Sequence, residues 1–144
     1  MQNTNNIKLF LVDDDALYLK SMEIEFNQLG GFTIKTFATG ELCLQNLQDK
    51  PNLIILDYHL DSIDKNAMNG IQTLDKIKEF DPDILVIMLS SQDKIDVAVN
   101  CMHHKATDYV VKSETAFIRL KRIIPLVLHY QKIEKELNWY MARI

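Results

Sequence analysis

The chain of 144 residues is short of cysteine, glycine and long apolar runs. Its two cysteines, Cys43 and Cys101, form no CxxC and no zinc spacing, and they read as buried thiols in a reducing compartment. None of the four glycines follows the first apolar stretch, so a glycine-rich loop that would cradle phosphate is absent there. Continuous apolar runs such as Ile84–Leu89 are strand-sized, far below the ~20 residues that cross a bilayer. The opening MQNTNNIKLFLV lacks a basic region followed by an apolar segment and a cleavage site, so a cytoplasmic location without membrane attachment is expected. Positive charge is in deficit, with a net charge of −4, which argues against a general nucleic-acid or anionic-membrane surface.

What is present is an alternation of two patterns. Runs rich in Ile, Leu and Val predict buried strands at Ile7–Val12, Phe32–Phe37, Leu53–Leu56, Ile84–Leu89 and Tyr109–Val111. Helical periodicity lies between them. The first helix carries Leu19, Met22, Phe26 and Leu29 and stops at Gly30-Gly31. The second spans about 40–48, carries Leu42 and Leu47, and has Thr39 as N-cap. A third, about 69–80, turns Ile71, Leu74 and Ile77 inward, with Phe80 a further candidate; a fourth, about 94–104, does so with Ile95, Val99 and Met102. A fifth begins after Ser113, a candidate N-cap. Five strands alternating with five helices predict an α/β fold, a five-stranded parallel sheet covered on both faces.

In such a sheet the C-terminal strand ends share one edge, where ligands bind. Asp13, Asp14 and Asp15 follow the first strand, Asp57 the third, Ser90 and Ser91 the fourth and Lys112 the fifth. Converging carboxylates repel one another unless a cation intervenes. Oxygen donors without His or Cys favour Mg²⁺. A lysine and a hydroxyl beside it suit a phosphoryl group. Asp15 reads instead as the cap of the first helix.

These motifs carry a resemblance. LFLVDDD, LIILD, VIMLSS and DYVVKS, in this order, resemble the receiver domain of two-component response regulators, over about residues 7–124. The resemblance implies a flavodoxin-like (βα)5 doubly wound sandwich and a phosphorylation-activated signalling switch. It implies Asp57 as phosphoacceptor and a Mg²⁺ site of Asp13, Asp14, Asp57 and the backbone carbonyl of His59, with Asp13 acting through water. Ser90 and Lys112 would hold the phosphoryl oxygens, and Tyr109 would move inward as Ser90 shifts. The donor would be a sensor histidine kinase or a phosphotransfer protein; the receiver of the signal, a protein target or an output domain outside these residues. The expected chemistry is self-directed: phosphoryl acceptance and autodephosphorylation, without turnover of a separate substrate. The alternative is a phosphohydrolase of the haloacid-dehalogenase type with Asp13 as nucleophile, since Asp13-x-Asp15 superficially fits its pattern.

Three positions depart from the family. Ser113 stands where proline is common after the lysine, which leaves the Lys112–Ser113 peptide open between cis and trans. Lys105 stands where many receivers have glycine. The loop between Asp57 and Gly70 is roughly five residues longer than usual. Its extra length reads as a surface feature that shields the site or contacts a partner, so loss of residues 62–66 is expected to leave Mg²⁺ binding intact. The family unit is placed at 1–124 and a helical extension at 125–144. From Ile123 through Leu126, Tyr130, Ile133, Leu137 and Tyr140 to Ile144, apolar residues recur in alternating steps of three and four. That is coiled-coil spacing, readable as a homodimer seam, a connector, or a helix folded back on its own domain.

Overall fold

The computed structural model describes residues 6–144. Five strands, β1 (Ile7–Val12), β2 (Phe32–Phe37), β3 (Leu53–Asp57), β4 (Leu85–Ser90) and β5 (Asp108–Val111), alternate with α1 (Ala16–Leu29), α2 (Gly40–Gln45), α3 (Gly70–Phe80), α4 (Ile95–His103) and α5 (Ala116–Met141). A 3-10 turn at Leu47–Asp49 finishes the segment that the sequence assigns to one helix through residue 48. All strand pairs are parallel, in the order β2-β1-β3-β4-β5. The expected doubly wound sheet is therefore present, with its order reversing between β1 and β3.

Each central strand is apolar on both faces because each face meets helices. Phe10, Val12, Ile54, Leu56, Val86 and Met88 pack against Cys43, Leu47, Leu74, Ile77 and Cys101 from the α2, α3 and α4 side. Leu9, Leu11, Leu53, Ile55, Ile87 and Leu89 pack against Met22, Phe26, Leu120 and Ile124 of α1 and α5. The period of two along a strand divides its residues between these two cores. Both cysteines are buried free thiols, as expected. Burial pushes the Cys43 thiol up to about 12 and the Cys101 thiol up to about 11, so neither is a reactive thiolate.

The caps agree in part with the sequence. Asp15 caps α1 through bonds from the Leu17 and Tyr18 amides, and Thr39 caps α2 through the Leu42 amide. Ser113 does not cap α5 directly. It organises the preceding turn, its hydroxyl accepting from the Thr115 amide and its carbonyl from that of Ala116. The Lys112–Ser113 peptide is trans, like every described peptide bond.

Six inward assignments, in four helices, are corrected. In α4, Ile95, Val99 and Met102 are exposed, whereas Cys101 is buried and Val97 packs on the core. The apolar arc of this helix is wide, leaving only Asp96, Asn100 and His103 as a polar strip, so spacing alone does not select which part of the arc is buried. Leu42 is exposed and Cys43 takes its place, because the small thiol fits the close approach of α2 to the sheet. Leu29 and Phe80 end their helices beyond the edge of the core and are exposed.

α5 runs unbroken through Pro125 for 26 residues, about 39 Å. No break divides it at residue 124. Beyond its buried first half it touches the domain where Gln131 donates to the Asp83 carbonyl and Lys135 lies near the Asp83 carboxylate. It does not fold back, and Tyr130, Leu137, Tyr140 and Ile144 are exposed.

Lys105, ahead of β5, has φ of 73°, a left-handed conformation that strains an L side chain. Lys105→Gly is expected to stabilise the fold by about 1 kcal/mol. Thermal unfolding should show a midpoint raised by a few degrees; an unchanged or lower midpoint would mean that lysine is at ease there.

Candidate functional site

The acids converge because β1 and β3 are neighbours in parallel register. Asp13, just past β1, and Asp57, the last residue of β3, end at the same depth, both only 3% exposed. One carboxylate oxygen each from Asp13, Asp14 and Asp57 lie within 4.8 Å of one another. Lys112 arrives from the end of β5, fixed by its amide donating to the Ser90 carbonyl at 2.7 Å. Its ammonium stands 2.7 Å from Asp13 and 3.4 Å from Asp57, and 4.7 Å over the Tyr18 ring. The whole lies at the floor of an open cleft of about 670 Å³, whose rim includes Leu17, Ile63 and Ser91.

The electrostatics follow from crowding in a dry place. Burial, and then the Asp13 charge, push the Asp57 carboxyl up to about 7, against the opposing pull of Lys112 and the His59 amide. Burial alone would lower Lys112, but bonding to Asp13 and the Asp57 charge outweigh it and hold the ammonium above its ordinary range. One lysine thus serves two buried carboxylates. It cannot neutralise all three acids of the cluster. Three converging carboxylates that form an all-oxygen donor set fit a hard divalent cation such as Mg²⁺. Asp13, Asp14, Asp57 and the His59 carbonyl are the residues that would hold it.

Ser90 and Tyr109 are placed less directly. Ser90 is fully buried and its hydroxyl accepts from the Gln92 amide at 3.0 Å, while Ser91 lines the cleft. The Tyr109 hydroxyl is half-buried and donates to the Gln92 carbonyl. Gln92 therefore joins the two residues assigned to switching, a link invisible in the spacing of either.

Other contributors are also missed by sequence reasoning. Gly70 opens α3 directly on the site: a Cβ there would lie 2.5 Å from the Asp57 carbonyl oxygen and 2.7 Å from Tyr58 backbone atoms. The Asn-Gly pair at 69–70 was the available signal. Asn69 and Gln72 complete a capping box at the same turn. Tyr18 carries no signal beyond its place on the first turn of α1. The long loop also returns to the site, with the Ser62 and Ile63 amides donating to Asp14 at 3.1 and 3.3 Å.

Two outcomes follow for metal-free protein. From about pH 4, where an unfolded aspartate loses its proton, to about 7, the folded chain holds a proton that the unfolded chain has released. Asp57 therefore costs stability increasingly as pH rises through this window. Asp57→Asn should be more stable than wild type by on the order of 2 kcal/mol at pH 8 and show little gain at pH 4. Denaturant unfolding in chelator at the two pH values measures this, and a gain independent of pH would contradict it. Gly70→Ala should cost 2 kcal/mol or more, roughly, by forcing α3 off the Asp57–Tyr58 backbone, measured the same way.

The response regulator receiver domain family matches residues 9–124. A protein-glutamate methylesterase/protein-glutamine glutaminase of Treponema pallidum is 34% identical over 147 residues, covering 96% of this chain and 35% of the relative. The signal receiver domain of a putative Luxo repressor protein from Vibrio parahaemolyticus superposes with a TM-score of 0.78 at 28% identity, over 92% of this chain and 97% of that one. NtrX from Brucella abortus superposes with a TM-score of 0.84 at 24% identity, over 96% of this chain and 31% of that one, a likeness of fold. The chain thus spans about a third of the curated relative's length. The match does not support the hydrolase alternative with Asp13 as nucleophile. With its acids, lysine and sheet order in place, the chain belongs to the response regulator receiver domain family.

Proposed function

We propose that Asp57 accepts a phosphoryl group from a sensor histidine kinase or phosphotransfer protein in the cytoplasm, and that the chain acts by binding according to its phosphorylation state. The observation that carries this reading is the cluster of buried Asp13 and Asp57 with half-buried Asp14, and Lys112 at 2.7 Å from Asp13 and 3.4 Å from Asp57. A Mg²⁺ bound there would offset the negative charge of the acids and of the transferring group. The ionised Asp57 attacks phosphorus as the bond from phosphorus to the donor histidine nitrogen breaks, and Lys112 pairs with a phosphoryl oxygen. Water later takes the phosphoryl group from Asp57 and regenerates the carboxylate. The proposed chemistry of these residues is confined to this self-directed cycle.

The relay has a physical route. When Ser90 turns its hydroxyl to the phosphoryl group, it leaves the Gln92 amide, and Gln92 in turn holds the Tyr109 hydroxyl. Tyr109, half-buried beside α4, then has reason to repack inward. The partner's approach is marked at the cleft rim by Leu17, 85% exposed, and Ile63, 78% exposed. The signal passes on to a protein target or to an output domain beyond these residues. The exposed seam of α5 suits pairing with a second copy, because its three-four spacing is self-complementary.

Incubation with Mg²⁺ and acetyl phosphate, followed by mapping of the acid-labile adduct, should place one phosphoryl group on Asp57 and none in Asp57→Asn. An adduct on Asp13 instead, or none on wild type, would refute the assignment. Sedimentation of wild type against Leu137→Glu tests the seam: the variant should be monomeric where wild type dimerises, and a wild type that stays monomeric with and without acetyl phosphate would refute pairing.

A further inference from the structure

The long loop does more than screen the cleft. Ser62 makes two contacts of opposite origin. Its amide, with that of Ile63, donates to Oδ2 of Asp14 at 3.1 and 3.3 Å, and its hydroxyl donates to the His59 carbonyl at 3.1 Å. Asp14 and the His59 carbonyl are two of the four groups that would hold Mg²⁺, and they come from different strands' ends, 45 residues apart in sequence. A single exposed serine thus ties them together.

The rest of the loop is built to hold Ser62 in place. The Asp64 carboxylate accepts from the Asn66 amide and its carbonyl from that of Ala67, which closes a turn. The Met68 amide donates to Glu41 on α2 at 2.8 Å, anchoring the far end. A carboxylate has a second oxygen, and a carbonyl a second lone pair, so both groups keep capacity for a cation while Ser62 fixes their orientation. Fixing ligands in advance spares the cost of ordering them on binding, and partners behind metal ligands routinely govern affinity in this way.

We infer that Ser62 is a positioning residue of the metal site, and that the extended 58–69 loop acts as a clasp on the two ligands Asp14 and His59. This rests on the Mg²⁺ site proposed above. It reverses the expectation that residues 62–66 are dispensable for metal binding.

Calorimetric Mg²⁺ titration of wild type, Ser62→Ala and Ser62→Thr tests it, with thermal unfolding in chelator to confirm that all three are equally folded. Ser62→Ala should bind about tenfold more weakly. Ser62→Thr, which keeps the hydroxyl, should stay close to wild type. A role limited to ordering the loop would leave Mg²⁺ affinity unchanged. Equal affinity in Ser62→Ala overturns the inference, as does tighter binding, which would make the hydroxyl a competitor of the ion. Equal losses in both variants overturn it too, because the hydroxyl would then not be the cause. A wild type that takes up no Mg²⁺ overturns the metal-site reading itself, a result distinct from the others.

Discussion

Three carboxylates crowded at a largely dry sheet edge, with one lysine among them, set the terms for the rest of this molecule. Like charges so close in a poor dielectric are tolerable only with compensation. The Lys112 ammonium supplies part of it, held between Asp13 and Asp57. Burial first, and then the Asp13 charge, still push the Asp57 carboxyl up against the pull of Lys112. The site is a concentration of like charge that a bound cation would relieve. Parallel register, the reversal of strand order between β1 and β3, and the tight seat of α3 on Gly70 serve to keep these charges together.

Much of this was legible in the sequence, for reasons that differ by element. β1, β3 and β4 are covered on both faces, so each carries a continuous apolar run, and the polar residue that ends it, Asp13, Asp57 or Ser90, stands out. Asp57, Asp13 and Lys112 were legible because topology alone brings parallel strand ends together. The buried face of α4 was not, since Ile95, Val97, Val99, Cys101 and Met102 cover a wide arc of the helix, of which Val97 and Cys101 meet the core. The loop's return to Asp14 was equally hidden. Its contacts with Asp14 are made by backbone amides, which every residue possesses and no pattern records.

Ser90 shows a third kind of limit. Its type and place were correctly expected at the end of β4, yet its hydroxyl is engaged with the backbone of Gln92 and away from the cleft lining. The Gln92 amide donates to Ser90 and the Tyr109 hydroxyl donates to the Gln92 carbonyl, bonds that a sequence pattern does not record and that the proposed relay would have to rearrange.

The uninterrupted α5 has a mechanical consequence. The helix passes through Pro125, just beyond the end of the family match at residue 124, so Leu120 in the core and Leu137 in solvent belong to one rod. Its first turn lies four residues from Lys112. A tilt of about 5° there swings the far end by about 3 Å over this length. If the proposed switch tilted α5 at its first turn, the unbroken helix would carry that tilt to its far end without an intervening joint.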